Sequence, residues 1–163
     1  MKKFELTAES KINIFGKKLF RIKALISFGD VEEGETGGWI EKEENLEQSS
    51  GDAWVYGNAR VYGDARVSGD AWVYGDAEVS GNARVSGDAD YTTIHGFGTQ
   101  FRTTTFFQCE DKQIRVSCGC FLGTIPEFRE QVKNTREGKI AEEYLMIADL
   151  MEKHFVKEKE SGE

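Results

Sequence analysis

From Gly51 to Asp90 the chain reads GDAWVY, GNARVY, GDARVS, GDAWVY, GDAEVS, GNARVS, GDAD. A fixed six-residue period of this purity is the pattern of a β-solenoid, in which each unit is too small to bury a face alone and does so by stacking on its neighbours. Within a unit, Ala53 and Val55 stand two apart and share one side of a strand, while Trp54 and Tyr56 take the other. The Gly-Asp or Gly-Asn pair that follows suits a corner, because these residues accept positive φ at little cost. Tiny hairpins would use the same turn residues. A second period decides between the two. Gly51–Ser68 and Gly69–Ser86 agree at 14 of 18 positions, so three short strands complete one layer and residues eighteen apart stack.

The rest of the 163 residues divides around this block. The repeats supply Ala and Val, whereas most Phe, Ile and Leu lie in the two flanks, and a single proline accompanies 18 glycines. That balance fits backbone corners better than a disordered linker. No run of apolar residues is long enough to span a membrane, and Met1-Lys2-Lys3-Phe4-Glu5 continues without the apolar stretch of a signal peptide. Cys109, Cys118 and Cys120 are odd in number, which fits reduced thiols and a cytoplasmic location better than a disulfide framework. A net charge of −8 argues against wrapping nucleic acid. It leaves two readings, an ordinary solvated acidic surface or an acidic face that imitates nucleic acid toward a basic partner.

The V-x-G-D/N-A-x units resemble the hexapeptide-repeat, left-handed β-helix proteins, with Val55 followed by Ala59, Val61 by Ala65 and Val67 by Ala71. The expected fold is mainly β: a left-handed parallel β-helix with an N-terminal β cap and a C-terminal α+β unit of ββαα order. Stacking at eighteen gives three outer faces. The first carries Trp54 over Trp72 and Tyr56 over Tyr74, an aromatic ladder expected to be covered by the N-terminal segment or a symmetry mate, or to anchor a separate partner. The resemblance implies a homo-oligomer, with a trimer favoured. The second face carries Arg60 over Glu78, and the third Arg66 over Arg84, a like-charge pair that an anion could relieve. Many members of the resembled family are acyltransferases that use a histidine on the coil as base. No histidine lies between Gly51 and Asp90, and the chain has only His95 and His154. A hexapeptide-type transferase using His95 is therefore the alternative, not the leading expectation.

The flanks are read as follows. Residues 1–50 form the β cap and an irregular first coil, with a turn at Phe15-Gly16-Lys17-Lys18 and a six-residue step from Ile40 to Leu46. Residues 51–94 form the β-helix, 95–157 the ββαα unit and 158–163 a flexible tail. Phe101–Cys109 and Gln113–Cys118 read as strands joined at Glu110-Asp111-Lys112. Thr124 reads as a helix cap, with Pro126 in the first turn and Glu127 reaching back. Phe128 and Val132 share a face of that helix. A second helix starts near Lys139 and carries the stripe Ile140, Tyr144, Ile147, Ala148, Met151 and Phe155.

This C-terminal unit, with TTTFF (103–107), VSCGCFLGT (116–124) and EYLMIADLMEKHF (143–155), together with GGWIEKEENL before the repeats, resembles a family of small phage and prophage proteins. The resemblance implies a phage or prophage origin, and by analogy with phage genes of this size a protein that antagonises host defence, by binding a host protein or sequestering a small nucleotide-like ligand; with no histidine on the coil, a non-enzymatic binding protein is the expectation, and a structural phage component is a further alternative. The best ligand candidate is His95-Gly-Phe-Gly98-Thr-Gln-Phe-Arg102-Thr103-Thr104-Thr105. Its glycines let backbone N–H groups approach an anion, and Arg102 and the threonines supply donors. The three cysteines with His95 could form a four-ligand zinc set, but their spacing is not that of structural zinc sites, and buried reduced thiols are the expectation. No cofactor is expected.

Overall fold

The structure is a computed structural model that describes residues 2–156. The tail assigned to 158–163 lies outside the described residues. No helix of the described chain is long and apolar enough to cross a membrane.

Two strands, β1 (Phe4–Ile12) and β2 (Lys18–Ala24), form an antiparallel hairpin with a bulge between Leu6 and Ser10. Its turn is tied by Asn13, whose Oδ1 accepts from the backbone N–H groups of Phe15 and Lys17. β3 (Thr36–Ile40) pairs with β2 on one side and, in parallel, with the repeats on the other.

The repeats supply six two-residue strands: β4 (Trp54–Val55), β5 (Arg60–Val61), β6 (Arg66–Val67), β7 (Trp72–Val73), β8 (Glu78–Val79) and β9 (Arg84–Val85). They pair in parallel eighteen residues apart, Trp54 with Trp72, Arg60 with Glu78 and Arg66 with Arg84. The expected register is met on all three faces. Ala53, Val55, Ala59, Val61, Ala65 and Val67, with their equivalents eighteen residues on, are buried. The inward positions of the six repeat strands are thus filled by Ala and Val alone, close-packed in layers.

The step from Ile40 to Leu46 marks the layer before the repeats. Ile40 pairs with Val61 and Leu46 bridges to Val67, an offset of 21 instead of eighteen. The three extra residues fall in the corner between Leu46 and Trp54. Asn45 closes this layer, its Nδ2 donating to the carbonyls of Gly63 and Ala65.

The C-terminal unit departs from ββαα. Tyr91–Phe97 is a strand, β10, which pairs antiparallel with β11 (Arg102–Gln108). β12 (Ile114–Cys118) and β13 (Phe121–Thr124) complete a four-stranded antiparallel sheet before α1 (Ile125–Thr135) and α2 (Gly138–Phe155). The order is ββββαα, and the sheet begins at 91 instead of 95. The cause is the alternation in Tyr91-Thr-Thr-Ile-His95, which gives this stretch an extended partner for the threonine-rich β11.

α1 starts with the expected capping box: Thr124 Oγ1 accepts from Glu127 N–H, and Glu127 Oε1 accepts from Thr124 N–H. The stripe on α2 faces inward, where Tyr144, Ile147, Ala148 and Met151 are buried with Phe106, Val116 and Phe128.

This sheet also closes the end of the repeats. Glu78 N–H donates to Thr105 Oγ1 at 3.0 Å, Glu110 N–H to the Asn82 carbonyl at 2.8 Å, and Ala83 bridges to Cys109. Strand groups that would otherwise be unpaired are thereby satisfied.

Candidate functional site

One open cleft has a volume of about 520 Å³. Three separate parts of the chain form its walls: the tip of the β1–β2 hairpin (Lys11 to Ile14), the second face of the repeats (Arg60, Asp76, Glu78), and the C-terminal sheet (His95, Arg102, Thr103, Gly119). The hairpin is held over the repeats by Phe15, whose ring lies 6.3 Å from that of Tyr62, and by Lys17, 3.7 Å from Glu41.

Each basic group in the cleft has a defined support. Lys11 Nζ lies 4.4 Å from the centre of the Trp39 ring, on which the Arg21 guanidinium also stacks at 4.4 Å. Burial, and then the positive charge of Arg60 and Arg21, push the Lys11 ammonium below its usual pKa. Arg60 is paired with Glu78 at 3.1 Å. Glu78 also accepts from the Tyr62 hydroxyl, and burial followed by that contact drives the phenol well above its usual range. Arg102 donates to Gln100 Oε1 at 2.7 Å. Its guanidinium lies where a Cβ on Gly119 would be, so the glycine at the β12–β13 turn makes room for it. His95 Nδ1 is 2.8 Å from Thr103 Oγ1 across the β10–β11 pair, which orients the ring.

Of the ligand segment expected from sequence, His95, Arg102 and Thr103 do meet in this cleft. Thr104 does not. Strand alternation turns it to the helix side, where its hydroxyl contacts Cys118 Sγ at 3.2 Å. Thr105 points to the repeats and is consumed by the Glu78 N–H. Gly98 packs against the Tyr144 hydroxyl instead of lining the cleft.

On the Arg66/Arg84 face the two guanidinium groups have different surroundings. Arg84 Nη1 donates to the Asp64 carbonyl at 2.8 Å, and its Nη2 lies 3.5 Å from Glu110, while Arg66 is exposed.

The aromatic ladder needs a correction at one end. Trp54 is wholly buried and cannot anchor a partner, because the N-terminal segment packs Phe4 and Phe28 edge-on against it at 6.3 Å and 5.4 Å. Tyr56 and Trp72 are half-buried against each other at 5.8 Å. Tyr74 remains 59% exposed.

The cysteines do not converge. Cys109 is buried in the core of the repeats, Cys118 sits beside the C-terminal core and Cys120 is exposed. Burial raises the Cys109 thiol to about 11. Among the described residues no group of three or more His, Cys, Asp or Glu side chains could hold a metal ion.

Sequence reasoning missed the hairpin's share of the cleft. The available signal was Lys11-Ile12-Asn13-Ile14 just before the Phe15-Gly16 turn, where two isoleucines occupy a hairpin tip that has no core to enter.

Compared with known proteins, the chain is similar over residues 53–68 and 59–75 to the YdcK β-solenoid repeat family. Those matches cover part of the repeats and identify a β-solenoid repeat in a mainly β chain with a C-terminal two-helix unit. No curated protein matches the chain.

Proposed function

We propose that this is a non-enzymatic binding protein in which the repeats, wound as a left-handed parallel β-helix of the hexapeptide type, act as a scaffold. The cleft between the hairpin and the C-terminal sheet takes a small anionic ligand. The observation that carries this reading is the convergence of Lys11, Arg60, His95 and Arg102, drawn from three distant segments, on one open cleft. In a chain of net charge −8, basic groups gathered at one place while acidic groups dominate elsewhere favour local capture of an anion.

The biological setting is that suggested by the phage-type C-terminal unit: a protein of the host cytoplasm that blunts a defence system by stoichiometric binding. Self-association, with a trimer favoured, would use Tyr74 and the half-buried Trp72 and Tyr56. A transferase using His95 is the second reading, supported by the open position of that ring beside Thr103.

Native and denaturing mass spectrometry of protein purified from its host separates these readings. The binding reading expects an oligomer carrying an added small-molecule mass that disappears on denaturation. Retention of nothing by the wild type, with turnover that His95→Ala abolishes, would replace it with the transferase.

A further inference from the structure

The helix α2 carries a second stripe besides the one it buries. Tyr144, Ile147, Ala148 and Met151 pack into the C-terminal core, whereas Met146 and Leu150, on the opposite side of the helix, are 69% and 57% exposed. Single exposed apolar residues are ordinary, but these two lie one turn apart and form a patch. Glu143 and Lys153 continue the same line. Glu143, Met146, Leu150 and Lys153 follow one another at steps of three, four and three residues, the spacing of a coiled-coil seam. The line is acidic toward the start of the helix, apolar in the middle and basic toward the end. Neither Glu143 nor Lys153 makes an ion pair among the described residues.

That order of charge selects the occupant. A second α2 laid antiparallel along the stripe sets Met146 on the partner's Leu150 and Glu143 on the partner's Lys153, and a two-fold axis repeats both contacts. A parallel copy would set Glu143 on the partner's Glu143 and Lys153 on the partner's Lys153, which is unfavourable at both ends. The flank does not oppose the antiparallel arrangement. Asp149, which borders the stripe, is held by Arg129 at 2.8 Å, and Arg129 also holds Glu152 at 3.0 Å. Glu142 on the same flank comes level with the partner's His154.

We propose that the outer face of α2 is a self-docking surface, where two copies of this chain meet in an antiparallel, two-fold α2–α2 seam. Tyr56, Trp72 and Tyr74 take no part in it, so it stands independently of the trimer and of the anion cleft. The seam is short, about 15 Å from Glu143 to Lys153, and belongs with small, transient interfaces. Half-association is expected at about 100 µM chain.

The test is sedimentation velocity of the full chain from about 10 to about 500 µM, a range that brackets that affinity. Whatever assembly the repeats make by themselves, the seam doubles its mass as concentration rises. Glu143→Lys or Lys153→Glu alone should weaken the doubling about tenfold. The combined swap Glu143→Lys/Lys153→Glu should restore it, because each charge again meets its opposite. Met146→Gln/Leu150→Gln should abolish it, with the helical circular dichroism of every variant unchanged. A wild type that shows no doubling overturns the proposal and leaves the face to a partner other than this chain. Doubling that the glutamine variant retains, single charge variants that behave as wild type, or a swap that fails to restore the step each overturn it as well. None of these outcomes touches the anion cleft, which the mass spectrometry above tests separately.

Discussion

The repeats and the C-terminal unit of this chain build their interiors in opposite ways. Between Ala53 and Val85 every inward residue is Ala or Val, each buried to the same degree, and each valine pairs with the valine eighteen residues away. The C-terminal unit has no repeated position. Its core gathers around Phe128, which meets Phe106 at 6.2 Å, Phe121 at 5.7 Å and Tyr144 at 5.8 Å. The first design spreads stability over many equivalent small contacts, and its weak points are the backbone corners. The second concentrates stability in a few large side chains. In the repeats the backbone dictates which residues are admissible, whereas in the C-terminal unit the side chains dictate where the helices sit.

Removing the hub of the second design gives the largest expected effect. Phe128→Ala should destabilise the C-terminal unit by about 3–5 kcal/mol. Chemical denaturation followed by helical circular dichroism should show an early loss of α1 and α2. If instead the whole chain melts in one step, the two regions are a single cooperative unit and the contrast is one of packing alone.

A pair of glycine variants probes the first design. Gly69 and Gly75 both adopt positive φ, but a Cβ on Gly69 would lie 2.4 Å from the Ser86 carbonyl oxygen, while one on Gly75 meets open space. Gly75→Ala should cost about 1 kcal/mol, the left-handed backbone penalty alone. Gly69→Ala adds a backbone clash and should cost distinctly more, about 3 kcal/mol. Equal melting shifts for the two would show that the layers can spread at their corners.

Thr124→Ala gives the smallest effect. Loss of the hydroxyl that accepts from Glu127 N–H should lower stability by about 1 kcal/mol. The matching loss of amide protection should be confined to the first turn of α1.

How much of this was open to sequence reasoning follows the same division. The register of eighteen, the pairing of Arg60 with Glu78 and of Arg66 with Arg84, and the irregular layer at Ile40 and Leu46 could all be read, because periodicity repeats each piece of evidence. The cap at Thr124 and the stripe from Tyr144 to Met151 were legible because both are local. β10 was not, since Gly96 and Gly98 drew attention as a ligand loop when they belong to a strand end and its turn. The burial of Trp54 depends on Phe4 and Phe28, which reach it only after the N-terminal segment folds back. His95, Arg102 and Thr103 were found as a segment. Their companions Lys11, Asn13 and Arg60 are distant in sequence, and no spacing rule connects them.

The five-stranded sheet runs β1-β2-β3-β5-β8, and its last strand is closed by Thr105 of the C-terminal unit. The two outer walls of the cleft are therefore fixed to opposite ends of one stack. Neighbouring strands stand about 4.8 Å apart, so each eighteen-residue layer acts as a spacer of that thickness. A duplication of one layer would leave every local contact of the hairpin and of the C-terminal sheet intact and yet move them apart by about 4.8 Å. On the proposed binding role, repeat number would set the width of the cleft, and selectivity would change in whole steps by gain or loss of a layer, with no substitution in the residues that line it.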